Sequence, residues 1–273
     1  MDVSLIIKAT LVLSGMGLVL GALLAVASNF FAVEIDPRVE RILEVLPGLN
    51  CGACGYAGCE GAAEGIAKEE APITACTAGG HEVTEQVAVI LGKEVEAKGV
   101  PPKAQARCGG GRGKVALRYI YDGEVSCHMA QQVACGPLLC PYGCLGFGDC
   151  VEVCPLGAIT IGEDHLPRID WERCRGCGLC VETCLRNIIA LVPETSQVDV
   201  FCSSPEKGKA VRSVCEVGCI ACKSCEKVCE FDAIKVENNL AVIDYDKCTG
   251  CGKCVEKCPT KCLVAYPKKD TKS

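Results

Sequence analysis

The spacing of its cysteines constrains this chain more than any other feature. There are 26 cysteines among 273 residues. Between residues 140 and 262 they form a repeat: Cys150, Cys154, Ile159, Cys174, Cys177, Cys180 and Cys184 recur at Cys225, Cys229, Ile234, Cys248, Cys251, Cys254 and Cys258, an offset of 74 to 75 residues. A run such as Cys219-x2-Cys222-x2-Cys225-x3-Cys229 holds several thiols within one or two turns of chain. Thiols so close converge on a common centre more readily than they pair with distant partners, which favours metal ligation over a disulfide framework. The even count decides nothing, because secreted disulfide proteins share it. With 5 Phe, 6 Tyr and 1 Trp, large side chains are too few to give each small module a conventional core. Modules below about 40 to 70 residues then need another staple. The net charge of −6 is too mild to imply nucleic acid.

Each copy of the repeat is two cysteine runs joined by a hairpin. In the second copy Ala233-Ile-Lys-Val and Leu240-Ala-Val-Ile-Asp244 alternate with period two around the turn Glu237-Asn238-Asn239. Ala158-Ile-Thr-Ile and Pro167-Arg-Ile-Asp170 take the same places in the first copy.

These runs resemble the bacterial two-cluster ferredoxin, in which the fourth cysteine of a run ligates the other cluster. The resemblance implies four [4Fe-4S] clusters: Cys140, Cys144, Cys150 and Cys184; Cys154, Cys174, Cys177 and Cys180; Cys219, Cys222, Cys225 and Cys258; Cys229, Cys248, Cys251 and Cys254. The chain departs from the pattern at Leu185 and Glu230, where proline would follow the cysteine, and in the wide first run Cys140-x3-Cys144-x5-Cys150. That loop reads either as a docking edge or as a neutral insertion.

Upstream, NCGACGYAGC gives Cys51-x2-Cys54-x4-Cys59, with Cys76 following after sixteen intervening residues. Four cysteines in a glycine-rich setting fit one further cluster; zinc, which prefers two separated pairs, is the rival. Val39, Ile42, Leu43 and Leu46 predict an amphipathic helix before it, stopped at Pro47-Gly48, and 81–96 predicts a helix packing through Val83, Val87, Ile90 and Leu91. Six cysteines remain. Cys108, Cys127, Cys202 and Cys215 are the candidate ligands of a sixth cluster, with Cys135 a substitute for one of them or for Cys140, and Cys262 without a role; the alternative is buried unligated thiols. His81, His128 and His165 are isolated, so Rieske-type ligation has no support. Lys98, Lys103, Arg107, Arg112, Lys114 and Arg118 form a stretch without acid, either a solvated face or a surface that steers an acidic donor.

From Ala9 to Ala27 the chain has nineteen uncharged residues, extended by Leu5 to Ile7 and by Phe30 and Phe31. At about 1.5 Å per residue this nearly spans a hydrocarbon core of roughly 30 Å, so a single transmembrane helix is expected. Ala25-Val26-Ala27 resembles a signal-peptidase site, but the run is long for a signal peptide and its n-region only weakly basic. Gly17-x3-Gly21 offers a face on which another helix could pack.

No G-x-G-x-x-G follows a strand and no P-loop occurs, so neither flavin nor NAD is expected on this chain. Taken with the four-cysteine module and the ferredoxin repeats, the anchor makes the chain similar to the B subunits of Rnf complexes, the ion-translocating ferredoxin:NAD oxidoreductases of bacteria. That resemblance implies a long-form subunit, held at the cytoplasmic face of the cell inner membrane, that accepts electrons from reduced ferredoxin and relays them to membrane and peripheral subunits moving Na+ or H+. It implies five [4Fe-4S] clusters, six if the extra set is real, and no complete active site within the chain. A membrane-tethered polyferredoxin serving a hydrogenase, CO dehydrogenase or other reductase without ion pumping is the alternative; an exported disulfide protein is a third reading. The expected fold class is α+β: an anchor over 1–32, a helical four-cysteine module over 33–100, a connecting segment over 101–139, ferredoxin modules over 140–200 and 218–273, and a linker over 201–217.

Overall fold

The structure, a computed structural model, describes residues 3–30, 36–94 and 102–266. Phe31, residues 95 and 96 of the expected second helix, and Lys98 fall outside it. Helix α1 (Val3–Phe30) is long and apolar enough over Thr10–Ser28 to cross a membrane, and none of that stretch is buried by the rest of the chain. Large side chains such as Leu18 and Leu24 stand fully outward, a surface that water tolerates poorly and lipid accepts. Among the described residues nothing approaches Gly17 or Gly21, so their helix face is open.

The four-cysteine module packs α2 (Pro37–Val45), α3 (Cys59–Ala67) and α4 (Gly80–Leu91). Helix α2 begins where the Asp36 carboxylate accepts the Arg38 backbone N–H at 2.8 Å, with Pro37 preset for the first turn. Its Val39 and Ile42, with Leu46 just past its end, meet Ala62, Ala63 and Ile66 of α3 and Val87 of α4. Leu43, expected in this core, is instead 37% exposed, because the stripe that α2 buries is narrower than its apolar pattern. Alanines on α3 let the helices approach closely, and Gly92, with a left-handed φ of 64°, ends α4.

Beyond it lie β1 (Lys103–Ala106), α5 (Cys127–Gln132), α6 (Asp149–Glu152), β2 (Ile159–Ile161), β3 (Pro167–Ile169), α7 (Leu179–Thr183), β4 (Ile189–Val192), β5 (Val198–Val200), α8 (Gly208–Val214), α9 (Ser224–Val228), β6 (Ile234–Glu237), β7 (Leu240–Ile243), α10 (Lys253–Glu256) and β8 (Leu263–Ala265). The two expected hairpins are β2–β3, with Ile159 opposite Ile169, and β6–β7, with Ile234 opposite Ile243. Asn238 and Asn239 both take positive φ, 47° and 62°, the two-residue turn whose twist suits a hairpin. Two further antiparallel pairs close the modules: β1 with β4, and β5 with β8. Residues 101–139 and 201–217, expected as connections, thus border or contain structure that belongs to the ferredoxin folds. Every residue of β1 is buried, even Lys103, whose Nζ donates to the Cys174 carbonyl at 2.8 Å and lies 3.7 Å from Glu194.

The two copies meet through buried polar groups. Asp199, 1% exposed on β5, accepts the Tyr245 hydroxyl at 2.8 Å; that hydroxyl accepts Arg107 Nη2 at 2.9 Å, and Arg107 Nε is 3.5 Å from the carboxylate. Burial raises the Asp199 carboxyl above its usual range, against the pull of Arg107. Trp171 of the first copy lies against Tyr266 with ring centroids 5.3 Å apart, and its Nε1 donates to the Ala104 carbonyl at 3.0 Å. Tyr245→Phe removes a donor and an acceptor from this network without opening a cavity. It is expected to destabilise the protein by about 1–3 kcal/mol, the cost of leaving buried partners unmade, measured as a lower urea midpoint by circular dichroism. An unchanged midpoint would show that the network adds nothing to stability.

Candidate metal centres

All 26 cysteines are free thiols, and 24 of them gather into six sets of four. Cys51, Cys54, Cys59 and Cys76 ring a cavity of about 330 Å³ between Leu46 and Ala78. Asn50 Oδ1 accepts the Cys59 N–H at 2.8 Å, and a side chain on Gly58, at φ 96°, would meet that same oxygen. In the second set Cys177 stands close to Cys154 and Cys174, and Cys180 to Cys177, Cys174 and Cys154. A Cβ on Gly176, at φ 68°, would collide with the Pro102 carbonyl, so this loop needs glycine to pass beside β1.

Two sets differ from the expected grouping. Cys127, Cys144, Cys150 and Cys184 surround a cavity of about 430 Å³, while Cys108, Cys140, Cys202 and Cys215 surround one of about 500 Å³. Cys127 and Cys140 have exchanged places relative to the sequence reading. The reasons lie in backbone pairing. Residues 115–118 bridge two segments at once: Leu117 pairs with Leu138 and Val115 with Cys215, with Leu139 N–H donating to the Ala116 carbonyl at 2.8 Å and Ala116 N–H to the Val214 carbonyl at 2.8 Å. This ladder carries Cys140 to Cys215. Meanwhile the Asp149 carboxylate accepts the N–H groups of Cys127 and His128, at 2.7 and 3.0 Å, and draws the start of α5 against Cys150. The wide Cys144-x5-Cys150 loop lies where the cysteines lining these cavities depart from the expected grouping.

Cys219, Cys222, Cys225 and Cys258 form the fifth set, and Cys229, Cys248, Cys251 and Cys254 ring a cavity of about 370 Å³ as the sixth. Two thiols stand apart. Cys135 is exposed and lines none of these cavities, whereas Cys262 is buried with its Sγ 3.6 Å from Cys258 Sγ.

The sets adjoin in a series. Cys177 of the second feels Cys51 of the first, and Cys180 feels Cys150 of the third. Cys144 of the third donates its backbone N–H to Cys108 Sγ of the fourth at 3.4 Å, and the Cys219 backbone of the fifth donates to Cys202 of the fourth. The fifth and sixth are joined by Cys225-x3-Cys229 and Cys254-x3-Cys258 and share one apolar core.

Burial pushes the Cys150 and Cys180 thiols up to about 12 and Cys202, Cys225 and Cys254 to about 11. A metal that binds here must displace their protons. Hydrogen bonds to the Cys262 side chain instead hold Cys258 down to about 4 and Cys219 to about 6. Backbone amides aim at sulfur elsewhere: Ala104 to Cys174 and Ala158 to Cys154, both at 3.4 Å, and Ala233 to Cys229 at 3.3 Å.

This donor set suits a polynuclear cluster. Among the described residues no three His, Cys, Asp or Glu side chains close on a single metal ion, as tetrahedral zinc with sulfur at about 2.3 Å would need. Four thiols ringing one space, with amides directed at sulfur, are what an iron–sulfur cluster asks for. None of the three histidines lines these cavities, and His81 pairs with Glu85 at 3.1 Å. The basic stretch is mostly consumed by structure: Lys103 and Arg107 are bound as above, and Arg118 donates to the Ala134 carbonyl. Among the described residues of that stretch, Arg112 and Lys114 alone stand exposed without a side-chain partner.

Comparison with known proteins agrees with this chemistry. Residues 46–78 match a family model described as "Putative Fe-S cluster", and residues 167–189 and 241–264 each match one described as "4Fe-4S binding domain". The chain therefore carries [4Fe-4S]-type domains. It is 41% identical to the B subunit of the ion-translocating oxidoreductase complex of Methanosarcina acetivorans, over 95% of this chain and 98% of that one. It is 46% identical to the B subunit of the Na(+)-translocating ferredoxin:NAD(+) oxidoreductase complex of Acetobacterium woodii, over 94% and 78%. To the B subunit of the proton-translocating ferredoxin:NAD(+) oxidoreductase complex of Clostridium ljungdahlii it is 43% identical, over 95% and 92%. Similarity that runs through the apolar helix, the four-cysteine module and both ferredoxin copies leaves one conclusion: the chain belongs to the family of B subunits of ion-translocating ferredoxin:NAD oxidoreductase complexes.

Proposed function

We propose that this protein receives electrons from reduced ferredoxin and relays them along six [4Fe-4S] clusters to membrane and peripheral partners that carry flavin, reduce NAD and move an ion. The observation that carries the reading is the unbroken series of six four-cysteine sets running from the module next to α1 to the far end of the second ferredoxin fold. Helix α1 anchors the chain in the cell inner membrane with its cysteine modules on the cytoplasmic side, where thiols stay reduced. The modules are 33–100, 140–197 with β1 added, and 218–273 with β5 added.

When bound, such clusters take up and release single electrons at potentials set by hydrogen bonds, charge and exposure. The chain's own part is to hold them. Cys51, Cys54, Cys59 and Cys76 would ligate the first; Cys154, Cys174, Cys177 and Cys180 the second; Cys127, Cys144, Cys150 and Cys184 the third. Cys108, Cys140, Cys202 and Cys215 would ligate the fourth; Cys219, Cys222, Cys225 and Cys258 the fifth; Cys229, Cys248, Cys251 and Cys254 the sixth. Apolar side chains such as Ile161 and Ile188 beside the third, and Val211 and Phe201 beside the fourth, keep water from the sulfurs. The relatives named for Na+ and for protons resemble this chain almost equally, which puts the choice of ion outside the residues they share.

Iron and sulfide analysis of anaerobically purified protein tests the count: about 24 iron atoms per chain are expected from six four-iron clusters, and a value near eight would eliminate the assignment. The exchange of Cys127 and Cys140 has its own test. Cys108→Ala and Cys127→Ala together should cost two clusters, about eight iron atoms, because the two cysteines belong to different sets; had they shared one set, about four would go. Arg112→Gln with Lys114→Gln should slow reduction by ferredoxin several-fold at roughly 0.01 M salt, where charges act over about 30 Å, and change little near 1 M. Equal rates at low salt would return these two side chains to a solvated face.

A further inference from the structure

The two copies of the ferredoxin fold contain four places where a residue follows the last cysteine of a run by four positions: Ala158 after Cys154, Ile188 after Cys184, Ala233 after Cys229 and Cys262 after Cys258. All four are buried to within 3% of full burial. At Ala158 and Ala233 the backbone N–H donates to the preceding cysteine sulfur. The side chains of Ala158, Ile188 and Ala233 have nothing to donate. Cys262 does. Its Sγ lies 3.6 Å from Cys258 Sγ, within S–H···S reach of one sulfur of the set. Its backbone is held, because its carbonyl accepts the Phe201 N–H at 2.7 Å and the next residue, Leu263, pairs with Val200 in β5–β8, and its side chain is buried.

We propose that Cys262 is a positioning residue for the Cys219, Cys222, Cys225 and Cys258 centre: a protonated thiol that donates a hydrogen bond to ligand sulfur and raises that centre's reduction potential above the value its ligands alone would set. The proposal rests on the reading that these four cysteines hold a cluster. A donor withdraws charge from the sulfur and so favours the more negative, reduced state. Four ligands already complete the set, so the thiol has no iron to bind. The centre concerned lies between the fourth and sixth, so its potential bears on passage in either direction.

The test uses the full chain, purified without oxygen, as wild type, Cys262→Ala and Cys262→Ser. Iron content and an EPR-monitored redox titration are read on each. Both variants should keep the wild-type iron. In Cys262→Ala one cluster should become about tenfold harder to reduce at fixed potential, about 59 mV for one electron, while Cys262→Ser, which restores an O–H donor, should stay near wild type. Unmoved potentials in Cys262→Ala would overturn the proposal, as would an equal shift in both variants, which would point to volume rather than hydrogen bonding. Loss of four iron atoms from Cys262→Ala would also overturn it and make the residue a ligand or a structural thiol. If the wild type itself lacks that cluster, as Cys222→Ala with unchanged iron would reveal, the failure lies with the ligand reading beneath the proposal.

Discussion

Convergence of four thiols on one space is the constraint from which the rest of this structure follows. The ferredoxin copies have strands of three or four residues, helices of four to seven, and cores in which cysteine outnumbers leucine. Apolar burial on that scale offsets little conformational entropy. Cysteine sets drawn from distant segments would tie the chain instead once they hold metal. Cys108, Cys140, Cys202 and Cys215 join the approach to the first copy, its opening loop and the link to the second. A metal that binds only the assembled site adds its binding free energy to folding, so the same thiols that would carry the clusters also hold the modules.

Much of this can be read from the sequence, and the part that cannot has a common cause. The second copy is legible to its turn, because Asn238-Asn239 between alternating strands specifies a hairpin locally and the cysteine runs there keep the ferredoxin spacing. The four-cysteine module is legible for the same reason: its clustered cysteines, its capping Asp36 and its stripe of Val39, Ile42 and Leu46 are all short-range signals. The exchange of Cys127 and Cys140 is not, since it depends on Val115 pairing with Cys215 and Leu117 with Leu138, contacts between segments up to about one hundred residues apart for which no local pattern exists. Strands β1 and β5 escape for a related reason: a three- or four-residue strand carries too little periodicity to be seen without its partner.

The basic stretch illustrates how composition misleads once packing is known. Six positive residues without an acid read either as a solvated face or as a surface that steers an acidic donor. In the fold Lys103 and Arg107 point inward, one to the Cys174 carbonyl and the other to Asp199 and Tyr245, and they tie β1 to the Cys174 loop and copy to copy. A buried lysine or arginine is tolerable only with such partners. Among the described residues of the stretch, Arg112 and Lys114 remain exposed without a side-chain partner, next to the ladder that brings Cys140 to Cys215.

That ladder also bears on how a relay can be continuous. Two separate ferredoxin folds would each bring a close pair of centres and leave a gap between the pairs. Here the gap is where the insertion, the linker and their cysteines meet: Cys108 and Cys140 from one side, Cys202 and Cys215 from the other, with amides of Cys144 and Cys219 from the flanking sets aimed at their sulfurs. Three of the cysteines left over when the ferredoxin pattern is subtracted, Cys108, Cys202 and Cys215, meet Cys140 where the two copies join. Their irregular spacing follows from that position, because a site built between two folds draws each ligand from a different segment and inherits the spacing of neither.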